Sequence, residues 1–309
     1  MPVPARNMTD EPVPSSDESE GPLVAPVTTE VESVKVSRAG RNLPAAIAVG
    51  LTLGAAVVVT LFVIPKWTFV VLATAAVCVG VWELCRALRA GGFAVPVVPS
   101  VVGCISMLGA AYVGGAQALL VCYALTCVAI LVWRVADGVT GAARDVMGGA
   151  LVAAYPSFLT AFAALLLAPD DGTWRMFTYI AVTVASDIGG YAVGVLAGRH
   201  PMAPTISPKK SWEGFAGSVL FCMAVGVACV VLALHGPWWT GLVAGAAAAV
   251  AATTGDLIES SIKRDLGIKD MSNILPGHGG LMDRLDSLVL TAPIIWAVLA
   301  VLVPVAVGS

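Results

Sequence analysis

The chain has 309 residues, of which 58% are hydrophobic and only 12% are charged, and its net charge is −3. A soluble domain carries about 25% charged residues, so this composition excludes an ordinary soluble protein. Apolar runs of about twenty residues recur after residue 42, and each is long enough to cross ~30 Å of hydrocarbon. A membrane β-barrel would instead show short segments of alternating polarity. The sequence therefore predicts an all-α fold, a polytopic integral membrane protein.

The segment 1–41 differs from the rest of the chain. It is rich in proline, serine, threonine and acidic residues, and it has no periodic apolar face. This composition predicts a disordered acidic tail. The segment is too acidic for a transit peptide and has no early apolar region of the kind that a cleaved signal needs.

About nine transmembrane helices are predicted from the apolar runs. Their approximate bounds are 43–64, 67–88, 94–114, 116–135, 147–168, 175–198, 214–235, 237–255 and 285–306. The third run is the weakest, because Pro96 and Pro99 fall inside it. We expect 42–146 to form N-terminal transmembrane helices and 147–309 to form a second transmembrane region with cytoplasmic loops 199–214 and 256–286.

Basic residues predict the orientation of these spans. Lys35, Arg38 and Arg41 precede the first span, which places the N-terminus in the cytoplasm by the positive-inside rule. The loops that would then be cytoplasmic hold Arg86, Arg89, Arg134, Arg144, Arg199, Lys209, Lys210, Lys263, Arg264, Lys269 and Arg284, whereas the opposite loops hold only Lys66 and Arg175. The C-terminus is therefore expected outside, and the apolar spans are compatible with a bacterial plasma membrane.

The segment 255–287 combines charges, glycines and a histidine between two apolar stretches. If the eighth helix continues past residue 255, then Asp256, Glu259, Ser260 and Lys263 share one of its faces. Glycines let backbone N–H groups approach a phosphate, carboxylates are hard ligands for Mg²⁺, and basic side chains balance phosphate charge. The segment therefore predicts a polyphosphate–metal site at the membrane surface.

Two further features point to the same kind of site. The loop "GRHPMAPTISPKKSWEG", 198–214, offers hydroxyls and lysines that could surround phosphates, although two lysines at a membrane surface are often only an anchor. Asp187 lies about midway along the sixth span, where a charge costs at least ~2.5–3.5 kcal/mol, so it is a functional candidate by default. The alternative is a structural aspartate satisfied by a neighbouring helix.

The run "SSIKRDLGIKDMSNILPGHGGLMDRLD", 260–286, resembles the signature of the phosphatidate cytidylyltransferases, also called CDP-diacylglycerol synthases. The signature reads S-x-φ-K-R, four residues, K-D, then φ-P-x-H-G-G-φ-x-D-R-φ-D, where φ is apolar. The segments "SDIGGYAVGVLAGRH" and "ISPKKSWEG" resemble further elements of that family, with Gly190 in place of the usual alanine and Ser211 in place of a common threonine. The likeness covers roughly 150–309, and the earlier spans match only in hydrophobic character.

The resemblance implies a reaction in which CTP and phosphatidic acid give CDP-diacylglycerol and pyrophosphate. It implies catalytic roles for Asp256, Asp283, Lys263, Arg264 and Lys269, with Asp256 and Asp283 as ligands of Mg²⁺. It leaves open a second metal site and a monovalent cation such as K⁺. The implied substrate-binding residues are Asp187, Ser207, Lys209, Lys210, Ser260, Asp270, His278, Gly279, Gly280 and Arg284.

Some of these roles stay open at this point. His278 either donates to a phosphate or orders the glycine turn, and Arg284 with Asp286 is expected to brace Asp283. The resemblance also implies a homodimer in contact with membrane lipid, and no nucleic-acid partner is expected.

Two other functions remain as alternatives. A related membrane enzyme that uses CTP could act on another lipid phosphate or on a polyprenol, because the sequence does not encode acyl-chain identity in a readable way. An ion-coupled transporter would use Asp187 and Asp256 as a pathway, but it should also spread polar residues through several spans and show inverted repeats.

Overall fold

The computed structural model describes residues 43–138, 140–274 and 279–304. The predicted tail, 1–41, and His278 lie outside these residues. The elements run in the order α1 Leu43–Phe62, α2 Trp67–Ala90, α3 Val97–Ala136, α4 Ala142–Val152, a π-helix Ala153–Phe158, α5 Leu159–Leu167, α6 Gly172–Ala197, β1 Pro201–Ala203, β2 Ser207–Ser211, α7 Trp212–Leu232, α8 Trp238–Asp265 and α9 Met282–Leu302.

The predicted fold class, an all-α polytopic membrane protein, is confirmed. Within the described residues, seven helices are long and apolar enough to cross a membrane, counting Ala142–Leu167 as one and taking α3 as a single helix. The part of α1 from Ala48 to Phe62 is a shorter apolar helix. This count of seven does not establish the predicted number of nine spans.

The long helix α3 folds back on itself at Gly115. This glycine has φ 71° and ψ −164°, a backbone conformation that a side chain would strain. A Cβ added at Gly103 would lie 2.2 Å from the side chain of Thr126, so the two arms of α3 pack against each other. These arms correspond to the predicted third and fourth runs.

Prolines mark the ends and irregularities of the N-terminal helices. The run predicted to begin at residue 94 forms a helix only from Val97, with Pro96 as its N-cap. Pro99 falls in the first turn, where the missing N–H costs nothing. Pro156 lies inside the π-helix. Proline has no N–H to donate within a helix, and the wider π-turn tolerates this interruption.

Glycines bring α6, α7 and α8 into close contact. A Cβ at Gly189 would lie 2.7 Å from the carbonyl of Gly217, and one at Gly226 would lie 2.4 Å from the carbonyl of Gly241. Small residues at these positions let neighbouring membrane helices approach backbone to backbone. Gly189 lies in the sixth predicted span, and α6 packs closely against α7 there.

The polar loop between α6 and α7 contains a short hairpin, which the sequence did not predict. Strands β1 and β2 pair antiparallel, with Pro201 opposite Ser211 and Ala203 opposite Ser207. Helix α7 begins directly after β2, and the side chain of Ser211 caps it by accepting the N–H of Gly214 at 3.1 Å. The hairpin therefore fixes the lysines of this loop relative to α7.

Candidate active site

A cavity of about 320 Å³ lies where α6, β2, α7 and α8 meet. Five of the predicted site residues line it: Asp187 from α6, Ser207, Lys209 and Lys210 from β2, and Asp256 from α8. Its wall also includes neutral groups such as Ser186, Tyr191, Ser211 and Thr253. The structure thus brings the sixth span, the hairpin and the eighth helix together around one space, as the predicted common site requires.

Asp256 stands at the centre of the polar contacts in this cavity. Its Oδ2 lies 2.6 Å from Nζ of Lys210, and its Oδ1 accepts the hydroxyl of Ser260 at 3.1 Å. Both side chains of the ion pair remain partly exposed, at 25% for Lys210 and 32% for Asp256. A ligand that enters the cavity can therefore reach both groups.

Carboxylates converge on this region from three helices. Asp187 interacts electrostatically with Asp256, Lys210 and Arg284. Asp286, in the first turns of α9, interacts with both Asp256 and Asp187. An arrangement of this kind favours a bound cation, because like charges at short range repel each other in a partly desolvated cavity.

Helix α8 continues to Asp265, so its polar face extends beyond the cavity as the sequence indicated. Lys263 Nζ lies 3.1 Å from Oε1 of Glu259 on the same helix and 2.8 Å from Oδ1 of Asp283 on α9. Glu259 is fully buried, and its Oε2 has no hydrogen-bond partner among the described residues. Lys263 therefore joins α8 to the start of α9.

Asp283 also organises the segment between α8 and α9, residues 266–281, which we call the signature loop. Its Oδ2 accepts the backbone N–H groups of Met271 at 3.0 Å and Gly280 at 2.8 Å. Gly279 has φ 82°, so this turn needs a residue without a side chain. Asp283 is absent from the lining of the cavity that holds Asp256.

The remaining predicted residues are not among those that line the first cavity. Arg264, Lys269, Asp270 and Arg284 are exposed, and Nε of Arg264 donates to the carbonyl of Ile206 in the hairpin at 3.4 Å. Asp270 lines a second cavity, of about 510 Å³, between the signature loop and the end of α2. His278 falls in the undescribed part of the loop, and its role stays a prediction.

The sequence analysis missed Glu83, which lies on α2 and contacts the signature loop. The carboxylate is fully buried and accepts the N–H groups of Leu281 at 3.0 Å and Met282 at 2.7 Å, together with the hydroxyl of Ser272. The signal was available, because Glu83 is an acidic residue inside an apolar span, as Asp187 is.

The donor set fits a hard divalent cation at Asp256, but less directly at Asp283. Asp256 offers carboxylate oxygens to the cavity, with Asp187 on another wall. The carboxylates of Asp256 and Asp283 both accept hydrogen bonds at both oxygens, but the side chain of Asp283 is only 8% exposed and does not line the cavity. Among the described residues, no group of three or more His, Cys, Asp or Glu side chains forms a preassembled metal site.

Comparison with known proteins identifies the family. The model of the cytidylyltransferase family matches residues 45–302. Phosphatidate cytidylyltransferase of Mycobacterium leprae is 41% identical over 282 residues, covering 86% of this chain and 90% of the relative. The protein of the same name from Mycobacterium tuberculosis H37Rv is 39% identical, covering 87% and 86%, and that of a Synechocystis species is 42% identical over 123 residues, covering 39% and 41%.

The chain therefore belongs to the cytidylyltransferase family and is an enzyme, a nucleotidyltransferase. The resemblance found in the C-terminal half is confirmed. The match also reaches the N-terminal spans, where the sequence alone showed only hydrophobic character.

Proposed function

We propose that this enzyme transfers CMP from CTP to phosphatidic acid in a Mg²⁺-dependent reaction, giving CDP-diacylglycerol and pyrophosphate. The observation that carries the proposal is the cavity in which Asp187, Ser207, Lys209, Lys210 and Asp256 meet. Relatives that match most of the chain bear the name phosphatidate cytidylyltransferase, which supports the choice of substrates.

In this reaction a phosphate oxygen of the lipid attacks the α-phosphorus of CTP. A new P–O bond forms there, the bond from the α-phosphorus to the oxygen that bridges to the β-phosphate breaks, and pyrophosphate leaves with the electron pair. The attacking oxygen is already anionic near neutral pH, so a strong general base is not needed. The main barrier is repulsion between two polyanions, which fixed positive charges lower.

Lys209 and Lys210 are the cations that the cavity itself provides. The strand β2 holds them beside α8, and the pair with Asp256 fixes the position of Nζ of Lys210. Lys263, Arg264 and Lys269, which do not line this cavity, would bind the remaining phosphates. Asp256 would hold Mg²⁺, with Asp283 as the second proposed ligand, and bound Mg²⁺ would neutralise the triphosphate and the leaving pyrophosphate.

The setting of the reaction is part of the proposal. The polar ends of α6, α7, α8 and α9 would face the cytoplasm, where CTP is found, and the lipid would enter sideways from the membrane. A homodimer in a bacterial plasma membrane is the proposed assembly, and the bacterial relatives support the location.

The test is a transfer assay with purified protein in detergent–phosphatidate micelles. CTP labelled at the α-phosphate or at the γ-phosphate is supplied with and without Mg²⁺. We expect α-label to enter the lipid phase and γ-label to appear as pyrophosphate, both only with Mg²⁺. A kinase acting on a lipid or polyprenol would instead move the γ-label into the lipid.

Asp283→Asn is measured beside the parent protein. We expect its turnover to fall by at least about 100-fold with insertion and folding retained, as for loss of a metal ligand or of the contacts that orient one. Asp171→Asn is the matched control, because Asp171 pairs with Arg175 at 2.8 Å and Arg175 contacts Leu299 and Val303 at the other end of α9. Near-normal turnover of Asp283→Asn would remove Asp283 from the site.

A well-folded parent protein that labels no phosphatidate would contradict the proposed substrate. Labelling of a polyprenyl phosphate from the α-phosphate in the same assay would then identify another lipid phosphate as the acceptor.

A further inference from the structure

We propose that Glu83 is a positioning residue that fixes the signature loop and the first turn of α9, so that Asp283 and Lys263 are held in their working arrangement. The inference rests on the proposed function, and it assigns a role in the reaction to a residue of the N-terminal helices. Glu83 lies outside the motifs that carry the family resemblance, which all fall within roughly 150–309.

Glu83 acts as a cap for α9 from outside that helix. The first N–H groups of a helix have no partner within it, and an acidic group is favourable beside them. Here Oε2 accepts the N–H of Met282, the first residue of α9, and Oε1 accepts the N–H of Leu281 just before it. The carboxylate therefore satisfies donors that would otherwise be buried without partners.

The same carboxylate fixes a second point of the signature loop. Ser272 donates its hydroxyl to Oε1, and its own Oγ accepts the N–H of Ile274 at 3.2 Å. Ser272 lies ten positions before Met282, so Glu83 joins both sides of the loop to α2. The described donors are all neutral, and Glu83 is fully buried, which makes the carboxylate depend on these bonds.

Gly280 connects Glu83 to the residue that it positions. A Cβ added at Gly280 would lie 2.9 Å from Oε1 of Glu83 and 3.0 Å from Oδ2 of Asp283. The backbone of Gly280 thus passes between the two carboxylates, and its N–H donates to Asp283 at 2.8 Å. A shift of the loop away from α2 would move that donor and loosen the contact of Asp283 with Lys263.

The first experiment compares Glu83→Gln with the parent full-length protein in detergent. The amide keeps one acceptor oxygen but presents an NH₂ group to a backbone donor, so one side of the loop is released. We expect kcat to fall about tenfold or more, as for loss of a group that orients a ligand. We also expect the KM for CTP to rise at least about threefold, because the released loop loosens the contact of Asp283 with Lys263, which is proposed to bind a phosphate.

Hydrogen exchange provides a readout that does not depend on activity. Peptides that cover 270–284 should exchange at least about tenfold faster in Glu83→Gln, while peptides from α6 and from the end of α9 keep the parent rate. Asp171→Asn is again the control, since it removes a carboxylate from an ion pair near the end of α9 that Glu83 does not contact. If the parent protein has no transferase activity, the proposed function is wrong, but this measurement still tests the loop contact.

Ser272→Ala is the second variant, because Glu83→Gln alters a fully buried group and could fail to fold. It removes one donor and leaves the two backbone donors, so the same changes are expected with smaller size. The double variant with Glu83→Gln should show a smaller effect than the sum of the two separate effects. The inference is overturned if Ser272→Ala matches the parent in hydrogen exchange and kinetics. It is also overturned if exchange changes while the kinetic constants do not. A lower folded fraction that accounts for the whole loss of activity, with the KM for CTP unchanged, would overturn it as well.

Discussion

The ion pair of Lys210 and Asp256 joins two polar segments that lie far apart in the sequence. Lys210 comes from the hairpin strand β2 and Asp256 from α8, and their charged atoms are 2.6 Å apart. An exposed ion pair of this kind ordinarily contributes little to the free energy of unfolding. Because the pair lies in the wall of the first cavity, we expect it to hold Asp256 in place for the proposed Mg²⁺.

Lys210→Met should therefore weaken catalysis without unfolding the enzyme. A hydrogen bond to a charged group contributes about 1.5–3 kcal/mol, and partial exposure places this pair at the lower end. We expect kcat/KM for CTP to fall about tenfold, with the unfolding temperature in detergent within a few degrees of the parent. Steady-state kinetics and a thermal scan measure the two quantities.

Lys209→Met is the matched control for this substitution. Lys209 is the neighbouring residue, lines the same cavity and is more exposed, but Lys210 is the one that pairs with Asp256. Its effect on kcat/KM should be smaller than that of Lys210→Met. An equal or larger effect would show that total positive charge, and not the pair with Asp256, is what the cavity needs.

The residues of the site were largely predictable from the sequence, but their contacts were not. Asp256, Ser260 and Lys263 follow a helical spacing that the sequence shows directly, and α8 does continue through them. The partners of Asp283 depend on how the signature loop folds, and no local pattern encodes its bonds to Met271 and Gly280. Glu83 stands out as an acidic residue in an apolar span, but its contacts could not be predicted, since its partners are about 190 residues away.

At the scale of elements, apolar length predicted the helices well, whereas their irregularities needed the structure. The start of α3 follows from the fixed φ of proline, and the sharp turn at Gly115 allows one apolar stretch to form two antiparallel arms. The π-helix at Pro156 and the hairpin Pro201–Ser211 have no signal of comparable strength, because each depends on packing against other helices. Hydrophobic length sets how many helices form, and special backbone positions set where they bend.

Gly115→Ala tests the turn in α3. The observed φ of 71° with ψ −164° is a glycine conformation, and a side chain there costs about 1–3 kcal/mol. We expect the unfolding temperature in detergent to fall by several degrees, because a loss of about 1 kcal/mol moves it by about 2–4 °C in a domain of this size class.

Gly109→Ala is the control on the first arm of the same helix. Nothing lies within 4 Å of a Cβ added there, and alanine in a helix is favoured over glycine by about 0.5–1 kcal/mol. Its unfolding temperature should match or exceed that of the parent. If both substitutions have the same effect on the unfolding temperature, a side chain at position 115 adds no strain, and the turn in α3 does not depend on glycine.

At the scale of the whole molecule, the two halves that the sequence separated are joined at the site. The C-terminal region, 147–309, supplies every described residue that lines the first cavity, from Ser186 to Asp256. The N-terminal helices reach the signature loop through Glu83 and line the second cavity through Arg86, Ala87 and Ala90. The motifs that carry the resemblance lie within roughly 150–309 and could not reveal this, because a single buried carboxylate has no motif around it.

Deletion of residues 1–36 should leave turnover nearly unchanged, within about twofold. The family match begins at residue 45, so the acidic tail lies outside the part of the chain that the family model covers. The transfer assay in detergent, run on protein with matched folded fraction, measures this.

Deletion of residues 1–62 is the contrasting variant, because it removes α1 as well. The ring of Phe62 packs on Trp174 at 5.4 Å and on Phe177 at 5.8 Å, so this helix is tied to α6, which carries Asp187. We expect lower stability and lower activity from the longer deletion only. A large loss already at 1–36 would show that the tail acts on catalysis itself, and equal turnover in both variants would show that α1 is dispensable for the position of α6.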